Sequence, residues 1–346
     1  MNIYDFTLEK LEQYFTSLGE NKSKAKFLFK SLYKERRDSF EGIEGIKPAL
    51  AKRLEADFTP YSLRTLEKCE DESASKLLFE LCDGNTVESV VMKHNYGNGL
   101  CISSQIGCNM GCKFCESGRL KKVRNLTAGE MVQQILQTEK ELGLKITHIV
   151  IMGIGEPFDN YAAVMDFIDV ISCPFGLELG SRHITISTCG IVPRMLQYLE
   201  RPVCNNLAIS LHAPDDEIRS NIMPINKSYD ISSLIAAAKK FTEKTNSKIT
   251  FEYIMLKGIN DSDECAAKLY ELLCDVKCYV NIIPYNESTH LEFKKSDQER
   301  IDSFHSLLKQ KGMWVTVRRE FGASVNAACG QLRAGHAEKA HKADGQ

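Results

Sequence analysis

Cys108, Cys112 and Cys115 stand in the segment Gly107–Cys108–Asn109–Met110–Gly111–Cys112–Lys113–Phe114–Cys115, a C-x3-C-x2-C spacing. Three thiolates on one short loop bind three irons of a [4Fe–4S] cubane and leave the fourth iron without a protein ligand. That open position accepts the amino and carboxylate groups of S-adenosylmethionine (SAM), which puts electron delivery next to the sulfonium. A structural zinc site is the competing reading, but it wants a fourth protein ligand, and no His or Cys follows closely at zinc-finger spacing. Gly107 and Gly111 let the loop turn tightly around a bulky inorganic group, and Phe114 is placed to shield it.

Further polar loops suit a bound nucleoside. In Met152–Gly153–Ile154–Gly155–Glu156–Pro157 the glycines, Gly155 among them, permit close backbone approach, and Glu156 meets an ammonium group. Ser187 opens Ser187–Thr188–Cys189–Gly190, Ser210 and His212 sit in Ser210–Leu211–His212, and Asn286 follows another strand-like run. Each alone reads as a turn or a satisfied polar residue. Together they fall on one rim. A dinucleotide fold is the rival for the glycines, and G-x-G-x-x-G is absent.

Two more thiols stand apart. Cys329 lies among small residues in Gly322–Leu332, a segment whose thiol is free to change position. Cys101 opens the strand that leads into the cysteine loop and, by itself, reads as a core residue. Cys69, Cys82, Cys173, Cys204, Cys265, Cys274 and Cys278 sit among apolar residues as packed thiols. Cys189 either touches the nucleoside pocket or fills space.

The elements that must position these groups follow from periodicity. Residues 1–95 read as a small accessory module: two helical patterns (Leu8 to Leu18, Ala25 to Tyr33), a third from Pro48 to Phe58, then a hairpin turning at Asp83–Gly84–Asn85. From Cys101 strands alternate with helices: strands at Cys101–Ile106, Ile146–Met152, His183–Ser187, Leu207–Leu211, Lys248–Ile254, Cys278–Pro284 and Met313–Arg318, helices at 127–142, 161–171, 231–244, 262–274 and 297–311. Thr127 with Glu130 and Ser296 with Glu299 form capping-box patterns. Such alternation predicts an α/β fold with a parallel sheet, open or curved into a partial (β/α)6 barrel, whose reactive residues sit at the C-terminal strand ends. The expected division is 1–95 accessory, 96–312 partial barrel, and 313–346 a last strand, a mobile cysteine segment and a polar tail.

With 44 Lys and Arg against 46 Asp and Glu, the net charge of −2 gives no general attraction to a polyanion, so a nucleic-acid substrate needs a local basic surface. Thirteen cysteines, an odd number, in a long chain without an apolar leader point to the reducing cytoplasm rather than a disulfide scaffold. The best apolar run, Ile149–Met152, is far too short to span a bilayer, so no membrane association is expected.

The stretches Gly107–Cys115, RNLT (124–127), IVIMGIGEPFDN (149–160), RHITISTCG (182–190), AISLHAP (208–214), MPIN (223–226), VNIIP (280–284), VTVRRE (315–320) and AACGQLRA (327–334) together resemble the RlmN/Cfr family of radical SAM RNA methyltransferases. The resemblance spans residues 5–334, and the first module resembles that family's N-terminal accessory domain, an RNA-docking unit. It implies that Cys329 carries the methyl group, that Cys101 is the resolving cysteine, and that Glu88 lies near the reaction centre and moves a proton. It places Glu156, Ser187, Ser210 and Asn286 around SAM, beside the Gly155 and His212 of the polar loops, and Cys108, Cys112 and Cys115 on the cluster.

The chemistry explains the two thiols. Adenine C2 and C8 are electron-poor, so neither attacks a sulfonium methyl directly. The resemblance implies two SAM molecules per turnover: one methylates Cys329, and reductive cleavage of the other gives a 5′-deoxyadenosyl radical that activates the thiomethyl group. The resulting carbon radical adds to the ring; proton loss and attack of the Cys101 thiolate on the Cys329 sulfur free the RNA and form a disulfide, reset by external reduction. Implied partners are 23S ribosomal RNA, transfer RNA at adenosine 37, and an electron donor such as flavodoxin or ferredoxin, acting on a monomer. Pro157, AISLHAP and VTVRREFG resemble the C2-methylating branch; Cys101–Gln105 and the Tyr253–Ser262 stretch resemble the C8-methylating branch, which confers antibiotic resistance. A cluster-bearing RNA-binding protein without turnover is the alternative of another class. Lys121, Lys122, Arg124, Arg318, Arg319 and Arg333 are candidates for phosphate contacts, against the plain reading of a solvated charged face. Arg119–Val123 (RLKKV) lacks the glycine usual before the basic pair.

Overall fold

The computed structural model describes residues 1–58, 63–119, 121–202, 204–288 and 290–318. Three helices open the chain, α1 (Leu8–Ser17), α2 (Lys24–Tyr33) and α3 (Pro48–Asp57), followed by strands β1 (Arg64–Glu70), β2 (Ala74–Glu80), β3 (Thr86–His94) and β4 (Gly97–Cys101). The short pair β5 (Gln105–Ile106) and β6 (Arg124–Asn125) brackets the cysteine loop and the one-turn helix α4 (Glu116–Arg119). Then come α5 (Ala128–Leu142), β7 (Ile146–Ile151), α6 (Tyr161–Ser172), β8 (Ile184–Thr188), α7 (Val192–Tyr198), β9 (Asn206–Ser210), α8 (Asp216–Ile222), α9 (Ile231–Thr245), β10 (Ile249–Met255), α10 (Asp263–Leu273), β11 (Cys278–Pro284), α11 (Gln298–Gln310) and β12 (Val315–Val317).

Ten strands form one sheet in the order β1-β2-β3-β4-β7-β8-β9-β10-β11-β12. The first four pair antiparallel, and every pairing from β4 to β12 is parallel. Successive side chains of a strand point to opposite faces. One face carries Leu77, Val91, Leu100, Ile149, Ile151, Ile184, Ile186, Leu207, Ile209, Phe251, Val280 and Ile282 into the main core beneath the helices. The other carries Lys76, Glu88, Cys101, Ser187, Ser210, Glu252 and Asn281, the groups that could do chemistry.

That polar face is concave. β3 and β12 are seven places apart in the strand order, about 34 Å in a flat sheet at roughly 4.8 Å per strand. Yet Arg318, just past β12, brings Nη2 within 4.0 Å of Met92 Sδ on β3. Only a curled sheet allows this. It does not close: β1 and β12 are its unpaired ends among the described residues. The expected partial barrel is thus present as β4 and β7 to β11, each with a following helix, plus β12.

Several expectations need correction. The strand expected over Cys101–Ile106 is broken, because β4 ends at Cys101 and the chain bends before β5; β4 also starts earlier, at Gly97. The Ser296–Glu299 capping box does not form. Asp297 is the N-cap of α11, with no side-chain cap bond, because the buried Ser296 hydroxyl donates instead to Asp261 Oδ2 at 2.8 Å. The Asp83–Asn85 turn does join β2 to β3, with Gly84 at a φ of 78°. The expected boundary after residue 95 falls in the turn between β3 and β4, which pair from His94–Gly97 to Val90–Cys101.

Candidate active site

The cysteine loop leaves β5 at Gly107 (φ 75°) and turns again at Gly111 (φ 66°), conformations that suit glycine. α4 starts hard against it: a Cβ on Gly118 would fall 2.7 Å from the Cys112 carbonyl oxygen. Met110, Cys112 and Phe114 pack on a second, small core of Cys189, Ala213, Ile222, Met223, Leu256 and Tyr285. Asn109, silent in the sequence, accepts the Lys122 backbone N–H at 3.2 Å and pins the return strand.

Cys108, Cys112 and Cys115, partly buried on this one loop, are the residues that would hold a cubane cluster. Among the described residues no three His, Cys, Asp or Glu side chains converge as ligands of a single metal ion, and a cubane, with one thiolate on each of three irons, spreads its ligands more widely. Burial pushes the Cys108 thiol up to about 12, with Cys115 adding to the rise. Cys112 is pushed up too, by burial and then by Cys115 and Cys108. Metal binding deprotonates its thiol ligands, so a bound cluster would hold Cys108 and Cys112 as thiolates against this rise.

Beside the loop, the end of β7 carries the Gly-rich turn. Gly155 has a φ of 108°, and a Cβ there would lie 2.6 Å from Gln105 Cβ. The same Gln105 accepts the Glu156 backbone N–H at 2.9 Å, and its amide donates to Asn125 and Asp159, both at 2.8 Å. Glu156 is buried; its carboxylate accepts from the backbone N–H groups of Phe158 (3.0 Å) and Cys189 (2.8 Å). Burial raises its pKa and those bonds oppose the rise. Ser187, next to last in β8, and Ser210, which ends β9, are half-buried on the concave face. His212 is buried with a φ of 60°, its ring edge-on to Phe114 at 5.0 Å. Asn286 is exposed just beyond β11, in a loop tied to α4 by a Ser288–Glu116 hydrogen bond.

A buried arginine that sequence reasoning missed fastens these strand ends together. Arg219, fully buried, donates to the carbonyls of Cys189 (2.7 Å), Ser210 (3.2 Å) and Leu211 (3.1 Å) and to Asn226 Oδ1 (2.8 Å). Nothing in DDEIRSN separates it from a surface residue; only the partners in three loops give it its role.

Cys101 and Glu88 share the concave face, on neighbouring strands. Burial pushes the Cys101 thiol up to about 11, while Arg318, the Met152 backbone N–H and Lys76 pull it back and Glu88 adds to the rise. Cys329, Arg319 and Arg333 lie outside the described residues. Two of the basic candidates for phosphate are already paired: Lys122 with Asp159 at 2.7 Å, and Arg124 with Glu130 and Asp83, each at 2.7 Å. Lys121 is exposed.

Comparison with known proteins agrees with this layout. The model of the radical SAM superfamily matches residues 102–270, and that of the ribosomal RNA large subunit methyltransferase N-terminal domain matches residues 1–59. The chain is 47% identical to a probable dual-specificity RNA methyltransferase RlmN of Clostridium perfringens strain SM101, over 96% of each chain. It is 44% identical to the protein of the same description in Acholeplasma laidlawii, over 96% of this chain and 99% of that one. Among solved structures, a radical SAM methyltransferase from Sphaerobacter thermophilus superposes with a TM-score of 0.89 at 36% identity, covering 96% of this chain and 98% of that one.

Proposed function

The chain belongs to the RlmN family of radical SAM methyltransferases, and from that premise we propose that it methylates C2 of adenosine in the peptidyl-transferase centre of 23S ribosomal RNA, and adenosine 37 of transfer RNA, by way of a methylated Cys329. The observation that carries the reading is the placement of Cys101 and Glu88 together on the concave face, at the strand that runs directly into the cysteine loop. A simple iron–sulfur RNA-binding protein has no use for a half-buried thiol beside a buried acid at that point. The name shared by the relatives, together with Pro157, favours C2 over C8.

Cys108, Cys112 and Cys115 would hold the [4Fe–4S] cluster, which with bound SAM supplies one-electron chemistry. Gly155 and Glu156 line the SAM position, with Ser187, Ser210, His212 and Asn286 around it. Gly155 brings the backbone close, and Glu156 presents a buried carboxylate to the methionine ammonium. Glu88 accepts a proton from the substituted ring. Cys101, held as a thiol at rest by its burial, attacks the Cys329 sulfur once deprotonated and releases the RNA, leaving a disulfide for external reduction. Two SAM molecules serve each turnover, one as methyl donor. Residues 1–95 dock the RNA. The electron donor is of the flavodoxin or ferredoxin class, and the enzyme works as a cytoplasmic monomer; no helix among the described residues is long and apolar enough to cross a membrane.

The test is mass spectrometry of nucleosides from RNA treated anaerobically with reconstituted enzyme, SAM and a strong reductant, against 2-methyladenosine and 8-methyladenosine standards. Release of 2-methyladenosine is expected. Formation of the 8-methyl product, or of neither, overturns the proposal.

A further inference from the structure

Lys76 lies on β2 with its side chain fully buried, and its Nζ is 3.3 Å from Oε2 of Glu88, itself 3% exposed. The register puts the pair beside the reacting thiol. Lys76 is opposite Val90, and Val90 is opposite Cys101. Glu88, two residues before Val90, projects from the same face. Across the lumen Glu252 accepts from Asn281 at 2.8 Å and feels Arg318, which also acts on Cys101. Lys76, Glu88 and Arg318 thus all act on one half-buried cysteine.

Packing alone does not account for a lysine here. Removing two charges from water is costly, and replacing such a pair by apolar residues of similar volume is often neutral or stabilising. Lysine is almost never fully buried unless it is paired. Its place on the face that holds the thiol, rather than the face that forms the core, indicates a function in the reaction.

We propose that Lys76 is a positioning residue: its ammonium is the counter-ion that lets Glu88 stand in the lumen as a carboxylate beside Cys101, so that release of the RNA depends on it and capture of the RNA does not. The inference rests on the reading of Glu88 as proton acceptor and Cys101 as releasing thiol. The step served is one proton transfer. The carbon–hydrogen bond at the substituted ring carbon breaks, its electron pair stays with the ring, and the proton goes to Glu88, which passes from −1 to neutral. The buried carboxylate 3.3 Å from the ammonium loses, without it, the charge that offsets its removal from water and holds it in the lumen, and a base out of place cannot take the proton.

The test uses the full-length reconstituted enzyme in a single turnover, with three readouts: 5′-deoxyadenosine formed, protein–RNA adduct surviving denaturation, and methylated RNA released. Lys76→Met should form 5′-deoxyadenosine within about twofold of the unaltered enzyme, accumulate adduct as Glu88→Gln does, and release methylated RNA about a hundredfold more slowly, the lower end of what a general base contributes. Lys76→Arg, which keeps the charge, should recover most of the release. Should Lys76→Met fail to fold, Lys76→Gln against Lys76→Arg decides: adduct with Gln and release with Arg supports the proposal, and equal behaviour overturns it. Unimpaired release by Lys76→Met overturns it, as does a loss of 5′-deoxyadenosine in step with product. If Glu88→Gln and Cys101→Ala trap no adduct, the reading beneath it is what fails.

Discussion

His212 adopts a φ of 60°, and its Nδ1 accepts the Ile254 backbone N–H at 3.1 Å. Its carbonyl accepts from Asn260, whose amide also bridges to the Ile254 carbonyl, each at 2.7 Å. An accepting Nδ1 requires a neutral ring, and burial, followed by the nearby Arg219, holds the imidazole down to about 3. The unfolded chain, with a histidine near 6.5, therefore binds more protons than the folded one between those values. This contribution to stability is complete above about pH 6.5 and falls away with acidification towards pH 3, by about 1.4 kcal/mol per unit. Urea unfolding should lose about 2 kcal/mol between pH 6.5 and pH 5 from this residue, and His212→Gln should flatten that interval; an unchanged slope in the variant would refute the assignment. The sequence placed His212 on the rim but not its ring, because the partners that hold it, Ile254 and Asn260, come from a strand and loop some 40 residues away. The loop of the cysteine triplet and the turn at Gly155–Glu156 stand out in the sequence because their spacing is local. The surroundings of Lys76, Arg219 and Gln105 do not, since their partners lie on strands or loops far off in the chain.

The first turn of α5 ties three segments together. Thr127 and Glu130 form the reciprocal capping box, Arg124 donates twice to Glu130 and once to Asp83 on the β2–β3 turn, and the Gly129 N–H donates to Asp5. The Arg124 hydrogen bond is the main reason the Asp83 carboxyl is drawn down to about 2. Thr127→Ala should lower stability by about 1 kcal/mol, the usual value of a cap. Arg124→Ala should cost more, about 2 kcal/mol, because it removes two charge-assisted bonds and leaves the buried Glu130 carboxylate with the Thr127 N–H alone; thermal unfolding of both variants checks the order. The Thr127 box was readable from four residues, while the same pattern at Ser296 failed. A capping motif states what a hydroxyl can do, and a competing partner such as Asp261 decides what it does.

Alternating strands and helices made the parallel part of the molecule foreseeable. The continuity of the sheet was harder to see, because it depends on β3 and β4 pairing across a two-residue turn. One main core runs from Ile3 to Met313 and takes in α1, α2 and α3 as well as the barrel helices. A chain lacking residues 1–95 would expose the β4 edge and one flank of α5, so residues 96–346 alone should lack a cooperative thermal transition and near-ultraviolet dichroism. A sharp transition in that fragment would show the first module to be separable. Among the described residues the ends of the sheet, β1 and β12, stay unpaired, and the curl brings Arg318 after β12 to Met92 on β3. One concave wall is therefore shared by strands of the first module and of the barrel, so a change in either reshapes the space that both enclose.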